Sequence, residues 1–218
     1  MPGKKFTLWQ VLGWMFRSVF GTKYKTIEDA EIYDYVARRF FGREELAEVI
    51  AARLRYHVQC DPDKTLIAER AAGTGIVTEK LVEAGFHVRA FDISAAQLET
   101  LRQRLPTVAT FTDDLNSPML GMLPDVFDGL VQVGANRFMT EEGQLTFMQE
   151  AQRTLREGGI FIWPIFPFEI GCWWKPSCWR VRVLMKTLHQ VGFRHVHREF
   201  FYHYLSPFSM CWILIAKK

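Results

Sequence analysis

The chain has 218 residues, 49% of them hydrophobic and 23% charged, with a formal net charge of +3. That length fits one domain with a substantial core and leaves only appendages for anything further, and the balance of apolar to charged residues excludes a disordered chain. A charge this small, with its basic residues scattered, argues against a nucleic-acid partner, although the first 25 residues are locally basic.

In chain order, the first 60 residues read as helices. "KKFTLWQVLGWMFRSVFGTKYK" carries an apolar face of Phe6, Trp9, Leu12, Phe16, Val19 and Phe20 flanked by lysines. Gln10 and Arg17 interrupt it, it is too short to span a bilayer, and no small-residue cleavage site follows, so neither secretion nor a membrane span is indicated. The segment is expected to cover a pocket; packing on a second subunit and peripheral contact with a membrane surface are its other uses. In "REELAEVIAARLRYH", Leu46, Val49, Ile50 and Leu54 recur at spacings of three and four, which puts them on one helical face. Residues 1–60 are thus read as a helical cap or lid, and residues 61–218 as the main domain.

From Lys64 the period changes. "KTLIAE" is a short apolar run like a buried strand, "TGIVTEKLVEAG" a helix closed by Gly85, and "HVRAFDI" a second strand. In "SAAQLETLRQRLP" Ser94 and Gln97 form a capping box, Leu98, Leu101 and Leu105 a stripe, and Pro106 a stop. "TVATFTDD" and "VFDGLVQVGA" read as strands three and four, "TEEGQLTFMQEAQRTLREGG" as a helix ended by its paired glycines, and "IFIWPIF" as strand five. Strands separated by single helices need crossover connections, which predicts a mainly parallel sheet covered on both faces. After the helix "WRVRVLMKTLHQVG", the runs "FRHVHREFF" and "MCWILIAKK" follow with no helix between them and must pair antiparallel. The expectation is an α/β, doubly wound, seven-stranded sheet with a C-terminal antiparallel hairpin.

These residues resemble the class I S-adenosylmethionine-dependent methyltransferases over roughly residues 60–218. The family's first motif is an acid followed by glycines at alternate positions, here Glu69, Arg70, Ala71, Ala72, Gly73, Thr74, Gly75. Its second-strand acid, which holds the cofactor ribose, falls on Asp92, followed by Ile93. "FTDDL", with Asp113 and Asp114, is similar to the stretch beside the adenine, and the closing hairpin is also the family's. The resemblance implies S-adenosylmethionine as cofactor, bound by Glu69, Ala71, Gly73, Gly75, Asp92, Ile93, Asp113, Asp114 and Gln132. The chemistry agrees: Gly73 and Gly75 let the backbone turn sharply and approach a ligand, and a carboxylate at Asp92 can accept two hydrogen bonds from vicinal hydroxyls. Glu69 can orient the loop or receive an ammonium. Ala71 stands where the family has glycine, a cost on the order of 1 kcal/mol if φ is positive and little if it is negative. Arg70 can pair with Glu69, Asp92 or the cofactor carboxylate.

Ligands in such sheets lie outside the carboxyl ends of the strands, so residues after strands four and five face the substrate. Asn136 and Arg137 suit a polar or anionic group, Glu169 and His203 are the candidate proton acceptors, and Phe166, Trp173 and Trp174, with Phe168 and Trp179, offer flat apolar surface. The expected activity is methyl transfer to an oxygen, nitrogen or carbon of an apolar or aromatic small molecule. The altered motif leaves open a cofactor-binding enzyme turned to another reaction and a catalytically silent partner protein. Cys60, Cys172, Cys178 and Cys211 form no zinc pattern and read as reduced and cytoplasmic, so no metal is expected.

Overall fold

The structure is a computed structural model that describes residues 6–19, 26–58, 61–166, 181–202 and 210–218, with residues 15–19 described by their backbone alone. Three helices come first: α1 (Leu8–Val19), α2 (Ile27–Phe40) and α3 (Arg43–His57). Thr26 caps α2 by accepting the Asp29 N–H at 3.1 Å, and acids in its first turn with arginines in its last complement the helix dipole. Gly42, at φ +55°, makes the sharp change of direction into α3.

Leu46, Ile50 and Leu54 form the buried face of α3, as their spacing predicts. They share a core with Ile67, Val131 and Ile160 of the sheet, so the core runs continuously across residue 60. In α1 the outcome differs from expectation. Trp9 is 81% exposed and Leu12 44%, with Leu8 beside them, while Val11 and Trp14 pack on Ile32 and Val36 of α2. The helix is apolar on more than one side, and periodicity alone does not select the arc that packs. Phe20 and the side chains of Phe16 and Val19 lie outside the described residues.

The seven strands are β1 (Leu66–Arg70), β2 (His87–Asp92), β3 (Ala109–Thr112), β4 (Phe127–Gln132), β5 (Leu155–Ile165), β6 (His195–Phe201) and β7 (Cys211–Lys217), in the order β3-β2-β1-β4-β5-β7-β6. The pairs among β1 to β5 are parallel, and β7 is antiparallel to both β5 and β6. Helix α4 (Ile76–Glu83) links β1 to β2, α5 (Ala95–Arg104) links β2 to β3, α6 (Glu141–Thr154) lies between β4 and β5, and α7 (Val181–Gln190) precedes β6. Alternation along the strands splits the core into two layers. Ile67, Val131, Ile162 and Ile215 face α3, α4 and α5, whereas Ala68, Leu130, Trp163 and Leu214 face α6 and α7. This is the doubly wound sheet and closing hairpin that the sequence predicts. Among the described residues no helix is long and apolar enough to cross a membrane.

One boundary is corrected. Helix α6 stops at Thr154, where Leu155 turns extended (φ −73°, ψ 142°), and the paired glycines lie inside β5. Gly158, at φ +79°, sits where the β4–β5 register jumps from Phe127↔Leu155 to Gly129↔Ile160, and a Cβ on Gly159 would come 2.8 Å from the Arg156 carbonyl. The glycines therefore build an irregularity in the strand, not a helix stop.

Candidate functional site

The loop after β1 is built from left-handed residues. Ala71 (φ +60°), Gly73 (+59°) and Gly75 (+86°) fold the chain over the carboxyl end of the sheet, and the Ala72 N–H donates to the Phe91 carbonyl at 2.9 Å, tying the loop to β2. Glycine is required twice over at the last two positions: a Cβ on Gly73 would lie 2.7 Å from Gln97 Oε1, and one on Gly75 2.8 Å from Leu101 Cγ. Ala71 has the positive φ that glycine adopts freely, so the alanine carries strain on the order of 1 kcal/mol.

Asp92 closes the loop from the side. Its Oδ2 accepts the Gly73 N–H at 2.9 Å and its Oδ1 the Ser94 N–H at 2.8 Å, while Ser94 Oγ accepts the Gln97 N–H at 3.3 Å as the cap of α5. The Ser94 N–H that a capping box directs to the residue-97 side chain thus serves the carboxylate. Burial pushes the Asp92 carboxyl up, against the backbone donors that favour its charge. Glu69, 2% exposed, accepts from Thr78 Oγ1 at 2.6 Å; burial and the nearby Asp92 push its carboxyl up to about 8, the Thr78 hydroxyl opposing. A buried carboxyl pushed up beside a ligand-approach loop singles this loop out as a candidate functional site.

Arg70 pairs with neither Glu69 nor Asp92. Adjacent strand residues point to opposite faces, so Arg70 lies across the sheet from Glu69. It is wholly buried, donates from Nε to Asp113 Oδ2 at 2.7 Å and from Nη2 to the Asp114 and Ser117 carbonyls at 3.0 and 3.2 Å. It therefore fastens the segment after β3 to the end of β1. Burial pushes the Asp113 carboxyl up even so, with Arg70 opposing. Asp114 Oδ1 accepts from the backbone and side-chain amides of Asn116 at 2.9 and 3.1 Å. Ile93 is 67% exposed at the end of β2, next to Asp92.

Gln132, in register with Arg70 at the end of β4, is fully buried, and neither atom of its amide has a partner among the described residues. Asn136 is occupied internally: its Nδ2 donates to the Pro164 carbonyl at 3.1 Å and its Oδ1 accepts the Trp163 indole N–H at 2.6 Å. The Arg137 guanidinium lies 4.6 Å over the Phe138 ring. Phe166 is core, with the Arg43 guanidinium 3.9 Å over its ring. Glu169, Trp173, Trp174 and His203, with Phe168 and Trp179, lie outside the described residues. Among the described residues no cluster of His, Cys, Asp and Glu suits a metal.

A cleft opens over the loop, bordered by Tyr33, Arg43, Glu69, Ala71, Ala72, Thr74, Ile76, Val77 and Val133. Sequence reasoning missed Tyr33 and Arg43, which reach it from α2 and the start of α3. It also missed Thr74, whose Oγ1 donates to Asp34 Oδ1 at 2.8 Å. Asp34 accepts two further bonds from Arg104, at 2.9 and 2.8 Å, and one from Arg38 at 3.1 Å, and Arg104 also donates to the Thr74 carbonyl at 3.0 Å. Arg38 is held in turn by Glu44 and, at 2.5 Å, by Glu79. No local pattern announces such pairs; the only signal was the Gly-Thr-Gly turn itself.

These groups fit S-adenosylmethionine. Asp92 offers a carboxylate for a diol, and Glu69 and Arg43 put an acid and a cation on one cleft as an amino-acid zwitterion requires. No curated protein matches the chain in sequence. Among solved structures, a TehB-like SAM-dependent methyltransferase from Corynebacterium glutamicum is 20% identical, covering 77% of this chain and 87% of that one, with a TM-score of 0.58. A SAM-dependent methyltransferase from Archaeoglobus fulgidus is 15% identical over 79% and 94%, TM-score 0.61, and the trans-methyltransferase CalH in complex with SAH is 15% identical over 96% and 66%, TM-score 0.65. At such identities the likeness is one of fold. Residues 67–159, from β1 into β5, match the family model described as a methyltransferase domain. Bearing that stretch on this sheet, the chain carries a methyltransferase domain with the fold of the S-adenosylmethionine-dependent methyltransferases.

Proposed function

We propose that this enzyme methylates an oxygen, nitrogen or carbon atom of an apolar or aromatic small molecule. The observation that carries the reading is the cleft wall: Tyr33, Ile76, Val77 and Val133 supply apolar and aromatic surface around a few polar side chains, Glu69, Arg43 and Thr74. Concave, mostly apolar lining with a small number of placed polar groups is what small-molecule sites have in common. Two similar folds, the CurJ and DszA carbon methyltransferases, support it further, at 15% and 20% identity and TM-scores of 0.63 and 0.60; this chain spans 57% and 53% of them.

When bound, the cofactor would supply an electrophilic methyl group on a sulfonium, the acceptor bonding to the methyl carbon as the carbon–sulfur bond breaks and the neutral thioether leaves. The protein's share is placement: Asp92 would hold the ribose hydroxyls and Glu69 the ammonium, on a loop whose backbone fixes both over the end of the sheet. Arg137, Trp173 and Trp174 are read as substrate contacts, and Glu169 or His203 as the base where the acceptor carries a proton. We take the compartment to be the cytoplasm, in keeping with four cysteines whose spacing makes no paired framework.

Methyl-labelled cofactor incubated with a panel of lipophilic phenols, amines and enolisable ketones tests this. Label should pass into an organic extract with the wild type and not with Asp92→Ala. Label retained only in protein or nucleic acid, or no transfer to any acceptor, would overturn the proposal.

A further inference from the structure

We propose that the outer face of α1 is a docking surface for an anionic lipid bilayer. One arc of the helix is spent on the protein: Val11 and Trp14 rest on α2, the Trp14 ring 6.2 Å from that of Tyr33. Leu8, Trp9 and Leu12 stand outside it, 70%, 81% and 44% exposed. At 3.6 residues per turn these three fall within an arc of about 100°, so they form a single patch. A tryptophan beside two leucines on the exposed side of a surface helix is the composition of a segment that lies in a membrane interface, its indole at headgroup depth and the leucines below.

Charge decides between a bilayer and the other candidates. Residues 1–25 contain Lys4, Lys5, Arg17, Lys23 and Lys25 and no aspartate or glutamate, whereas the rest of the chain holds more acidic than basic residues. The entire positive excess of the protein therefore belongs to the stretch that carries the exposed patch. A second copy seated on this face would bring two such stretches together about a twofold axis, and like charges would oppose the contact. An anionic headgroup layer over an apolar interior complements both features at once.

The location gives docking a use, in a way that rests on the proposed small-molecule reading. Helix α1 rides on α2, and α2 brings Tyr33 to the cleft and Asp34 to Thr74 of the cofactor loop. A bilayer against α1 is linked to the cleft through α2, and an apolar acceptor dissolved in it is brought to the enzyme's own surface.

Co-sedimentation of the full chain, without cofactor, with vesicles of phosphatidylcholine alone or mixed with phosphatidylserine tests the surface. The wild type should partition at least about tenfold more strongly onto the phosphatidylserine vesicles, with the preference falling as salt is raised. Trp9→Glu with Leu12→Glu should lose about tenfold or more, and Lys4→Gln with Lys5→Gln several-fold. Both variants should keep the wild-type melting temperature and its rise on adding cofactor; the exposed side chains of Trp9 and Leu12 belong to neither the core nor the cleft. No partition of the wild type, or undiminished partition of the variants, overturns the proposal. So does a wild-type dimer that Trp9→Glu with Leu12→Glu dissociates, which would give the face to a second copy. Failure of the methyltransferase reading shows separately, as absence of the cofactor-induced melting shift in the vesicle-free protein.

Discussion

Asp34→Ala should loosen the cofactor loop as well as weaken the fold. Asp34 Oδ1 accepts from Thr74 Oγ1 and Arg104 Nη1, and Oδ2 from Arg104 Nη2 and Arg38 Nε. Its side chain is 15% exposed, against 25% for Arg104 and 22% for Arg38, which places the cluster between two regimes. An exposed ion pair contributes about 0–1 kcal/mol, and breaking a buried one costs about 3–5 kcal/mol. Arg38 retains Glu44 and Glu79, and Arg104 retains the Thr74 carbonyl, so neither cation is stranded. A loss of about 2 kcal/mol follows, and for a chain of this size that lowers the melting temperature by about 4–8 °C. Thr74 loses its side-chain anchor to α2, and cofactor affinity should fall about tenfold. Thermal unfolding gives the first quantity and calorimetric titration with S-adenosylhomocysteine the second. Full affinity in a destabilised variant would show that the cluster only packs helices, and the link to the loop would be wrong.

Other perturbations bear on the loop itself. Ala71→Gly should tighten cofactor binding by up to a few-fold in the same titration, because glycine adopts φ +60° without the alanine's strain. Gly75→Ala should cost about 2–4 kcal/mol in chemical denaturation, combining the strain of φ +86° with overpacking against Leu101. Glu69 sets a pH dependence. Its carboxyl, at 4.5 when unperturbed, sits at about 8 in the folded protein, so the fold binds the proton more tightly than the unfolded chain does. That contribution is complete below the unfolded value and lost as pH rises from about 4.5 to about 8, so unliganded stability should decline over that interval and flatten in Glu69→Gln. Cofactor binding that draws on the charged carboxylate should strengthen over the same rise and release a proton, seen as a binding enthalpy that varies with the buffer.

The order of strands and helices from β1 to α5 was legible because each boundary rests on a local signal: Gly73 and Gly75 at a turn, Ser94 at a cap, a change of period between. Helix-ending glycines and strand-irregularity glycines look alike in sequence, so Gly158 and Gly159 misplaced the end of α6. Arg70 was visibly unusual, but its acceptor Asp113 lies 43 residues away. Only the three-dimensional pleat shows that Glu69 faces the other side. Tyr33 and Arg43 escaped notice for a related reason. They enter the cleft from helices outside the motif, by packing geometry that no spacing encodes, and the outward turn of Trp9 and Leu12 is likewise a choice made by α2.

The place of β7 bears on how the protein is made. This strand follows all the others in sequence, yet it lies between β5 and β6, six of its residues paired with β5 and seven with β6. Until residue 217 has been synthesised, β6 has no partner in the sheet and β5 presents an open flank bearing Ile160, Ile162 and Ile165. The nascent chain must therefore hold an unfinished, adhesive edge until β7 has emerged, a stage at which chaperones are most needed. A stop codon just before β7 would leave the cofactor motif intact in sequence and the enzyme without a closed sheet to carry it.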